Sequence, residues 1–209
     1  KNLHGRLRIG AMPTSSPMLP IVTRRFQQQY PAVQVDIQFM GIDQLTLALK
    51  NFELDIGVSD LDQLTDPRLE TLPLYEEPLN LLLPDNLWLN DEPTVTWSEA
   101  AELPLCLLSP PMRERQMIDA AFATVDCKPA PQLESNSIFQ LAFHVMSGDL
   151  ATIVPKRFNE LPGTRAKQLV NPTVTQNLGL VWVSGNPILP MARALIELMT
   201  QALAEGVFD

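Results

Sequence analysis

The stretch that decides the fold is Arg6-Leu7-Arg8-Ile9-Gly10-Ala11-Met12-Pro13-Thr14-Ser15-Ser16-Pro17. Its first half alternates apolar residues with small or polar ones, a period of two that predicts a β-strand with one buried face. Its second half holds three hydroxyl side chains followed by a proline, residue types that favour the N-cap and the first position of a helix. The stretch therefore predicts a strand, a hydroxyl-rich turn and a helix in direct succession.

The predicted helix continues to about residue 30. One apolar stripe, which would face a sheet, is indicated by spacings of three and four in Leu19, Val22, Phe26 and Tyr30. Pro20 fits only near the start of a helix, because proline has no N–H group to donate. The N-cap can therefore lie as late as Met18.

The turn is a candidate ligand site. A strand-turn-helix aims hydroxyls and free backbone N–H groups at the carboxyl end of a sheet, where open α/β folds hold small anions. Thr14, Ser15 and Ser16 are the hydroxyl residues in that position. The alternative is that they only cap the helix, and the local sequence taken alone favours capping, because hydroxyl caps are common.

Further elements complete a first lobe. Residues 33–40 alternate as a half-exposed strand, so strand, helix and strand predict a parallel βαβ unit. A second helix, capped by Asp43, has an apolar face formed by Leu45, Ala48, Leu49 and Phe52. A short strand at 54–58 follows, and a longer one at 72–84 is expected to cross to another lobe. Glu76 and Glu77 in the longer strand point to opposite faces, so they cannot share an acid-base site, and we interpret both as solvated strand residues.

The pattern starts again after residue 84, which predicts a second lobe. A short helix at 97–102 and a strand at 105–108 lead to the turn Ser109-Pro110-Pro111-Met112, which repeats the hydroxyl-and-proline turn of the first lobe. A helix follows it, and Ser137 caps the next one, which ends at Gly148. The remaining predictions are strands at 132–136, 150–154 and 178–183, a helical turn at 158–161, a break at 185–187 and a last helix at 190–203.

Composition limits the function. The 209 residues are 45% hydrophobic, enough for a full core in one large domain or two lobes. The net charge of −9 opposes nucleic-acid binding by this piece, because contacts to phosphate need a basic surface. No apolar run approaches the ~20 residues of a membrane span, so no membrane partner is expected. The first residues contain neither a signal peptide nor a methionine, so we expect a fragment.

Few residues suit catalysis. His4 lies near the terminus, and His144 sits in a helix among apolar neighbours, where a structural histidine is expected. Cys106 and Cys127 match no metal-site spacing and are interpreted as reduced thiols, with a redox-sensing pair as the alternative. No nucleophile, phosphate-loop or dinucleotide motif is present. We therefore expect no enzyme, no catalytic residue, no metal and no cofactor.

Several segments together resemble the effector-binding domain of LysR-type bacterial transcriptional regulators, and the resemblance covers nearly the whole chain. It rests on the opening Gly5-Arg6-Leu7-Arg8-Ile9-Gly10, the first helix with its F-x-x-x-Y-P end at 26–31, Asp55-Ile56-Gly57-Val58, Pro73-Leu74-Tyr75-Glu76-Glu77-Pro78-Leu79 and Val145-Met146-Ser147-Gly148-Asp149-Leu150-Ala151-Thr152-Ile153-Val154-Pro155.

The resemblance implies an α/β fold of two Rossmann-like lobes with a hinged cleft, similar to type 2 periplasmic binding proteins. Lobe I would comprise residues 1–78 and 184–209, and lobe II residues 79–183. The family's N-terminal winged helix-turn-helix would be absent from this fragment, which agrees with the acidic charge.

The resemblance also implies a function: sensing a small anionic or polar effector between the lobes, which alters DNA binding or transcription activation by the full-length protein. By position, the effector site would comprise Thr14, Ser15, Ser16, Ile42, Ser109, Pro111, Met112, Asn136 and Ser137. Ile42 stands where relatives with carboxylate effectors often place a threonine, which suggests a partly apolar effector or one of different charge. A periplasmic-type solute-binding protein is the alternative.

The implied partners are the effector and a second copy of the chain. The first helix and second strand would pack, two-fold related, against the same pair in the other copy, with Gln34, Asp36 and Gln38 on the outer face of the strand. A tetramer is an option for the full-length protein, DNA would be bound only through the absent N-terminal domain, and RNA polymerase is a further candidate partner. A cytoplasmic location is expected.

Overall fold

The computed structural model describes residues 3–88, 90–159, 161–185 and 188–208. The chain is an α/β protein that divides into two compact units. Unit 1 comprises Lys1–Glu76 and Asn177–Asp209, and unit 2 comprises Glu77–Gln176.

In the described ranges the strands are β1 (Gly5–Ala11), β2 (Val33–Phe39), β3 (Ile56–Asp60), β4 (Leu69–Pro84), β5 (Thr94–Thr96), β6 (Cys106–Leu108), β7 (Leu133–Ser135), β8 (Thr152–Pro155), β9 (Thr164–Val170) and β10 (Thr175–Val183). The α-helices are α1 (Leu19–Gln29), α2 (Ile42–Lys50), α3 (Trp97–Ala101), α4 (Arg113–Ala123), α5 (Ile138–Ser147) and α6 (Pro190–Ala204). Short 3-10 turns occupy Pro13–Ser15, Leu61–Gln63, Asp85–Leu87 and Lys156–Phe158.

The sheet of unit 1 has the strand order β2-β1-β3-β10-β4. β1 pairs in parallel with β2 on one side and with β3 on the other. β10 is antiparallel to β3. The predicted βαβ unit is therefore confirmed, and the carboxyl ends of β1 and β3 meet at one edge of the sheet, where Ala11 lies opposite Val58.

Unit 2 repeats this order with its own strands. β6 pairs in parallel with β7, and a parallel bridge joins Leu105, just before β6, to Ala151, just before β8. β8 is antiparallel to the second half of β4, which also pairs with β9. The order β7-β6-β8-β4 in unit 2 thus corresponds to β2-β1-β3-β10 in unit 1, the repeat that the restarting sequence pattern predicted.

The apolar periodicity of α1 builds the core of unit 1. Leu19, Val22 and Phe26 are buried against Leu7 and Ile9 of β1, which confirms the predicted stripe. Burying a side chain of this size contributes roughly 1.5–3 kcal/mol, so the stripe fixes the helix to the sheet.

Unit 2 has two cores of its own. In one, the fully buried ring of Trp97 meets Phe122 edge to face with 5.0 Å between the ring centroids, and its Nε1 donates to the Pro172 carbonyl at 2.7 Å. In the other, Ile138, Leu141 and other residues of α5 pack against β6 and β8. The predicted ends of α5 are confirmed, because the Ser137 hydroxyl accepts from the Gln140 N–H and Gly148 closes the helix at φ 107°.

Several sequence predictions need correction. The strands β5 and β9 were not predicted, and β4 and β10 each begin three residues earlier than expected, at Leu69 and Thr175. All of β10 except its first two residues belongs to unit 1, where it pairs with β3, whereas residues 177–183 were expected in lobe II. The break predicted at 185–187 lies mostly outside the described residues.

Two side chains also differ from expectation. Glu77 is buried, not solvated, and its carboxylate accepts from the Arg157 N–H at 2.9 Å. Phe52 does not extend the apolar face of α2: it lies past the helix end, adopts φ 58° and is 60% exposed.

Candidate functional site

The hydroxyl-rich turn lies at the carboxyl edge of the sheet in unit 1, as the sequence predicted. It leaves β1 at Ala11, and the Met12 N–H donates to the Val58 carbonyl of β3 at 3.1 Å. Thr14 and Ser15 are buried, whereas Ser16 is half-buried. Ser16 is therefore the hydroxyl of the three that can meet a ligand without rearrangement.

The predicted capping by these hydroxyls is wrong. α1 begins after Met18, with Pro20 in its first turn, and no side chain caps it. Proline needs a position without a donor, so Pro20 sets the helix start two residues beyond Pro17. Ser15 Oγ donates instead to the Met12 carbonyl at 2.6 Å, and Ser16 Oγ to the Pro13 carbonyl at 2.5 Å.

The backbone of the turn is satisfied within the turn. The N–H groups of Ser15, Ser16, Met18 and Leu19 donate to the carbonyls three residues before them. An anion site at a helix start needs N–H groups that lack a partner inside the chain. These four groups are already engaged, so the turn favours recognition of a polar group through hydroxyl oxygens.

Ile42 supplies an apolar wall near the same edge. It is the first residue of α2, it is 6% exposed, and Gly41 before it is the N-cap. Asp43 was predicted to cap this helix, but it lies inside the first turn, where its charge suits the helix dipole.

A buried carboxylate at this edge escaped the sequence analysis. Asp60 ends β3 and is 2% exposed. It accepts from Gln63 Nε2 at 2.8 Å and from the N–H groups of Asp62 and Asn177 at 3.3 Å. Burial raises the pKa of Asp60 above its usual range, although these hydrogen bonds oppose the shift. The sequence signal that could have indicated Asp60 is a polar residue at the end of a buried strand beside β1.

In unit 2, the second proline turn follows β6 in the same way. The Ser109 N–H donates to the Ser135 carbonyl of β7 at 2.9 Å, and the Met112 N–H donates to the Ser109 carbonyl at 3.0 Å. Met112 is the half-buried N-cap of α4, and Pro111 is exposed.

Asn136 and Ser137 join this turn at one edge. Leu108 and Ser135 are paired at the ends of β6 and β7, so the residues that follow them lie side by side. Asn136 is exposed, and the Ser137 N–H donates to Ser135 Oγ at 3.1 Å. The structure thus brings together Ser109, Met112, Asn136 and Ser137 within unit 2.

Arg115 fixes this edge and was also missed. Its side chain is 8% exposed, with Nη1 donating to the Leu108 carbonyl at 2.6 Å and to Glu134 at 2.9 Å, and Nε donating to Asp119 at 2.8 Å. Burial alone would lower the pKa of Arg115, but the two carboxylates outweigh it and raise the pKa. One guanidinium therefore ties α4 to the ends of β6 and β7.

The residues considered for catalysis have structural surroundings. His144 Nδ1 lies 2.8 Å from the Gln140 carbonyl one turn earlier in α5. Cys106 is a buried free thiol and Cys127 a half-buried one. Within the described ranges, no three His, Cys, Asp or Glu residues converge as metal ligands would.

Among the helices that the structure describes, none has the length and apolar composition needed to span a membrane.

Two Rossmann-like units, each with polar turns at the carboxyl edge of its parallel strands, define an α/β ligand-binding domain. A family model described as the LysR substrate binding domain matches residues 1–204. The chain therefore belongs to this family, which comprises the regulatory domains of LysR-type transcription regulators and whose role is effector binding. The expected fold class is confirmed, and the periplasmic alternative has no support.

Individual relatives agree. A probable nitrogen assimilation transcriptional activator from Synechococcus elongatus is 23% identical over 197 residues, covering 91% of this chain and 64% of that protein. The reduced form of the OxyR regulatory domain from Pseudomonas aeruginosa has a TM-score of 0.79 and 22% identity, covering 97% of this chain and 98% of that one. Full-length CbnR complexed with its target DNA has a TM-score of 0.80 and 17% identity, covering 95% of this chain and 70% of that one.

The chain spans less than two thirds of the length of the Synechococcus relative.

Proposed function

We propose that this chain senses a small polar metabolite and passes the signal to a DNA-binding domain in the full-length protein. The observation that supports this most is the repeated strand order, which gives each unit a carboxyl edge with a polar turn. Open α/β sheets bind ligands at such edges.

The candidate residues narrow the chemistry of the effector. Ser16, Ser109 and Asn136 offer accessible polar groups, whereas Ile42 and Met112 offer apolar contact. The backbone N–H groups of the first turn are engaged in the turn itself, which favours a polar, partly apolar effector over a strong anion.

A thermal-shift screen of polar metabolites tests the proposal. A ligand that binds only the folded state raises stability by RT ln(1 + [L]/Kd), so an effector reveals itself as a dose-dependent rise in melting temperature. A screen in which no metabolite stabilises the protein would count against an effector-binding role.

Ser16 and Ser15 are expected to respond differently to replacement by alanine. Ser16→Ala should weaken binding of the stabilising metabolite about fivefold to tenfold, because one hydrogen bond contributes about 1 kcal/mol, and leave the fold unchanged. Ser15→Ala should cost about 1 kcal/mol of stability, since its buried hydroxyl bonds the Met12 carbonyl. Calorimetric titration and urea unfolding measure the two effects, and unchanged affinity in Ser16→Ala would remove Ser16 from the site.

The family suggests an activity for the whole protein. We propose that the full-length protein is a DNA-binding transcription regulator in the cytoplasm, with RNA polymerase as a further partner, and that this domain is not an enzyme. Full-length CbnR has been crystallised with its target DNA, which supports the proposal that the full-length protein binds DNA. The net charge of −9 supports assigning DNA contact to a separate domain.

We also propose a homodimer, for which β2 offers the surface. β2 ends the strand order of unit 1, and Ile37 and Phe39 on it are 36% and 48% exposed. The polar face of β2 is less exposed than expected, because Arg6 of β1 contacts Gln34 at 3.3 Å and Asp36 at 3.6 Å. An edge strand with exposed apolar side chains is usually covered in soluble proteins.

Introducing a charge at Ile37 is expected to dissociate the dimer. Ile37→Asp places a carboxylate in the contact while leaving the core intact, whereas Val35 packs against the core and is unsuitable for the test. Sedimentation velocity at micromolar concentrations should show dimers for the wild type and monomers for the variant. Leu47→Asp, at a 57% exposed position of α2, is the control, and a monomeric wild type would contradict the proposal.

A further inference from the structure

A cavity of about 240 Å³ opens in unit 1 at the sheet edge opposite to the hydroxyl-rich turn. It reaches Leu54 and Asp55, which precede β3. The Asp55 N–H donates to the carbonyl of Arg8, the middle residue of β1. The turn instead follows Ala11, which is level with Val58 near the end of β3. The proposed effector residues do not line this cavity.

The cavity walls are mostly apolar and come from four elements: the end of α2, the start of β3, the end of β10 and the start of α6. Leu49, Leu54 and Ala192 are buried and form its inner surface. Phe52 and Leu189 line it too, at 60% and 37% exposure, so they form its rim.

Phe52 holds an unusual backbone conformation at this rim. α2 ends in a Schellman motif, in which the Glu53 N–H donates to the Ala48 carbonyl at 2.9 Å and the Phe52 N–H to the Leu49 carbonyl at 3.0 Å. The residue in the position of Phe52 is left-handed, here with φ 58°, and glycine is the residue that takes this conformation without strain. The helix end alone would favour glycine, yet the chain places a large, exposed aromatic ring there.

The polar groups of the cavity select a neutral ligand. Asp55 accepts from the Arg8 N–H and Nη2 at 2.7 Å each, and Trp182 Nε1 donates to Glu70 at 3.0 Å, so both groups are held by protein partners. No lysine, arginine or histidine is among the described residues that line the cavity. The Asp55 carboxylate and the Arg8 guanidinium form an ion pair at 2.7 Å, so the pair offers no net charge to a ligand.

We propose that this cavity is a second small-molecule site, which takes a neutral, flat aromatic compound of one or two rings against Phe52. An apolar cavity of roughly 150 Å³ holds a benzene ring, so the present volume admits a larger ring system. The wall residues supply apolar contact and ring stacking, which such a compound needs more than hydrogen bonds. The site does not depend on the identity of the effector.

Fluorine-19 NMR of the whole 209-residue chain with 5-fluoroindole tests this site. The probe signal should broaden saturably and recover when unlabelled indole is added. Phe52→Gly should weaken binding about fivefold or more, through loss of the aromatic contact, without lowering the melting temperature. Leu189→Ser, at the other side of the rim, should weaken it about threefold.

Leu47→Ser is the matched control, because Leu47 is 57% exposed on α2 and lies outside the cavity. The proposal is overturned by absent or unsaturable broadening, by unchanged binding in both rim variants, or by an equal loss in Leu47→Ser. A Phe52→Gly variant that alters the sedimentation of the protein but not probe binding would show that a second copy covers this face, and that result also overturns it.

Discussion

Replacement of Arg115 by methionine is expected to lower the free energy of unfolding by about 2–3 kcal/mol. Methionine keeps the length and packing of the stem but removes the guanidinium that donates to the Leu108 carbonyl at 2.6 Å. Leu108 is 2% exposed, so its carbonyl loses a charged donor in a place that water hardly reaches. The ion pairs add little, because Asp119 and Glu134 are 44% and 40% exposed and can rehydrate.

Urea unfolding of the chain, followed by tryptophan fluorescence, measures this loss. Arg113→Met is the matched control on the same helix, since Arg113 is exposed, and it should stay within about 0.5 kcal/mol of the wild type. Arg115→Met should also weaken effector binding, because Ser109 and Met112 lose their anchor. Stability equal to that of the control variant would show that Arg115 does not hold this edge together.

The elements with strong local periodicity were predictable from the sequence. The alternation in β1 and β2 and the spacing of three and four in α1 predict the type of each element, and the burial of β1 and α1 agrees with them. The burial of β2 does not follow its alternation, because Ile37 and Phe39 are 36% and 48% exposed. The ends of α5 were predictable for the same reason, because Ser137 and Gly148 act within a few residues of themselves.

The strand β9 could not be predicted in this way. Lys167 lies on its buried face with 1% exposure, which breaks the apolar alternation that signals a strand. The ammonium is satisfied by Asn90 Oδ1 at 2.6 Å and by the carbonyls of Asn90 and Glu92, and it lies 4.4 Å from the centroid of the Trp88 ring. These partners are far away in sequence, so only the folded chain shows why a lysine is tolerated there.

The position of the hydroxyl-rich turn was predictable from the sequence, but the accessibility of its hydroxyl groups was not. A strand followed by a turn and a helix places Ser15 and Ser16 at the carboxyl edge whatever the rest of the chain does. Which hydroxyl stays accessible depends on Pro20, which delays α1, and on the packing of Met12 beside β3. Arg115 acts through partners in other elements, so no local pattern indicated it.

The thiol of Cys106 is expected to make the protein lose about 2–3 kcal/mol of stability as the pH rises from about 9 to about 11. Burial in β6 raises the pKa of Cys106 to about 11 from the ordinary thiol value of 9.0. Below about pH 9 the thiol is protonated in both states and stability is unaffected. Above about pH 9 the Cys106 thiol ionises in the unfolded chain but not in the folded one, which stabilises the unfolded state. This loss of stability stops once the thiol of the folded protein ionises as well.

Urea unfolding at pH 8 and at pH 10.5 isolates this contribution when the wild type is compared with Cys106→Ala. The alanine variant lacks the titrating group, so its stability should fall less over this interval, whereas its cavity cost is the same at both values of pH. Thiol labelling of the native protein should modify Cys127 and spare Cys106, because a buried thiol of raised pKa is a poor nucleophile. Equal pH slopes for the wild type and Cys106→Ala would contradict the assignment.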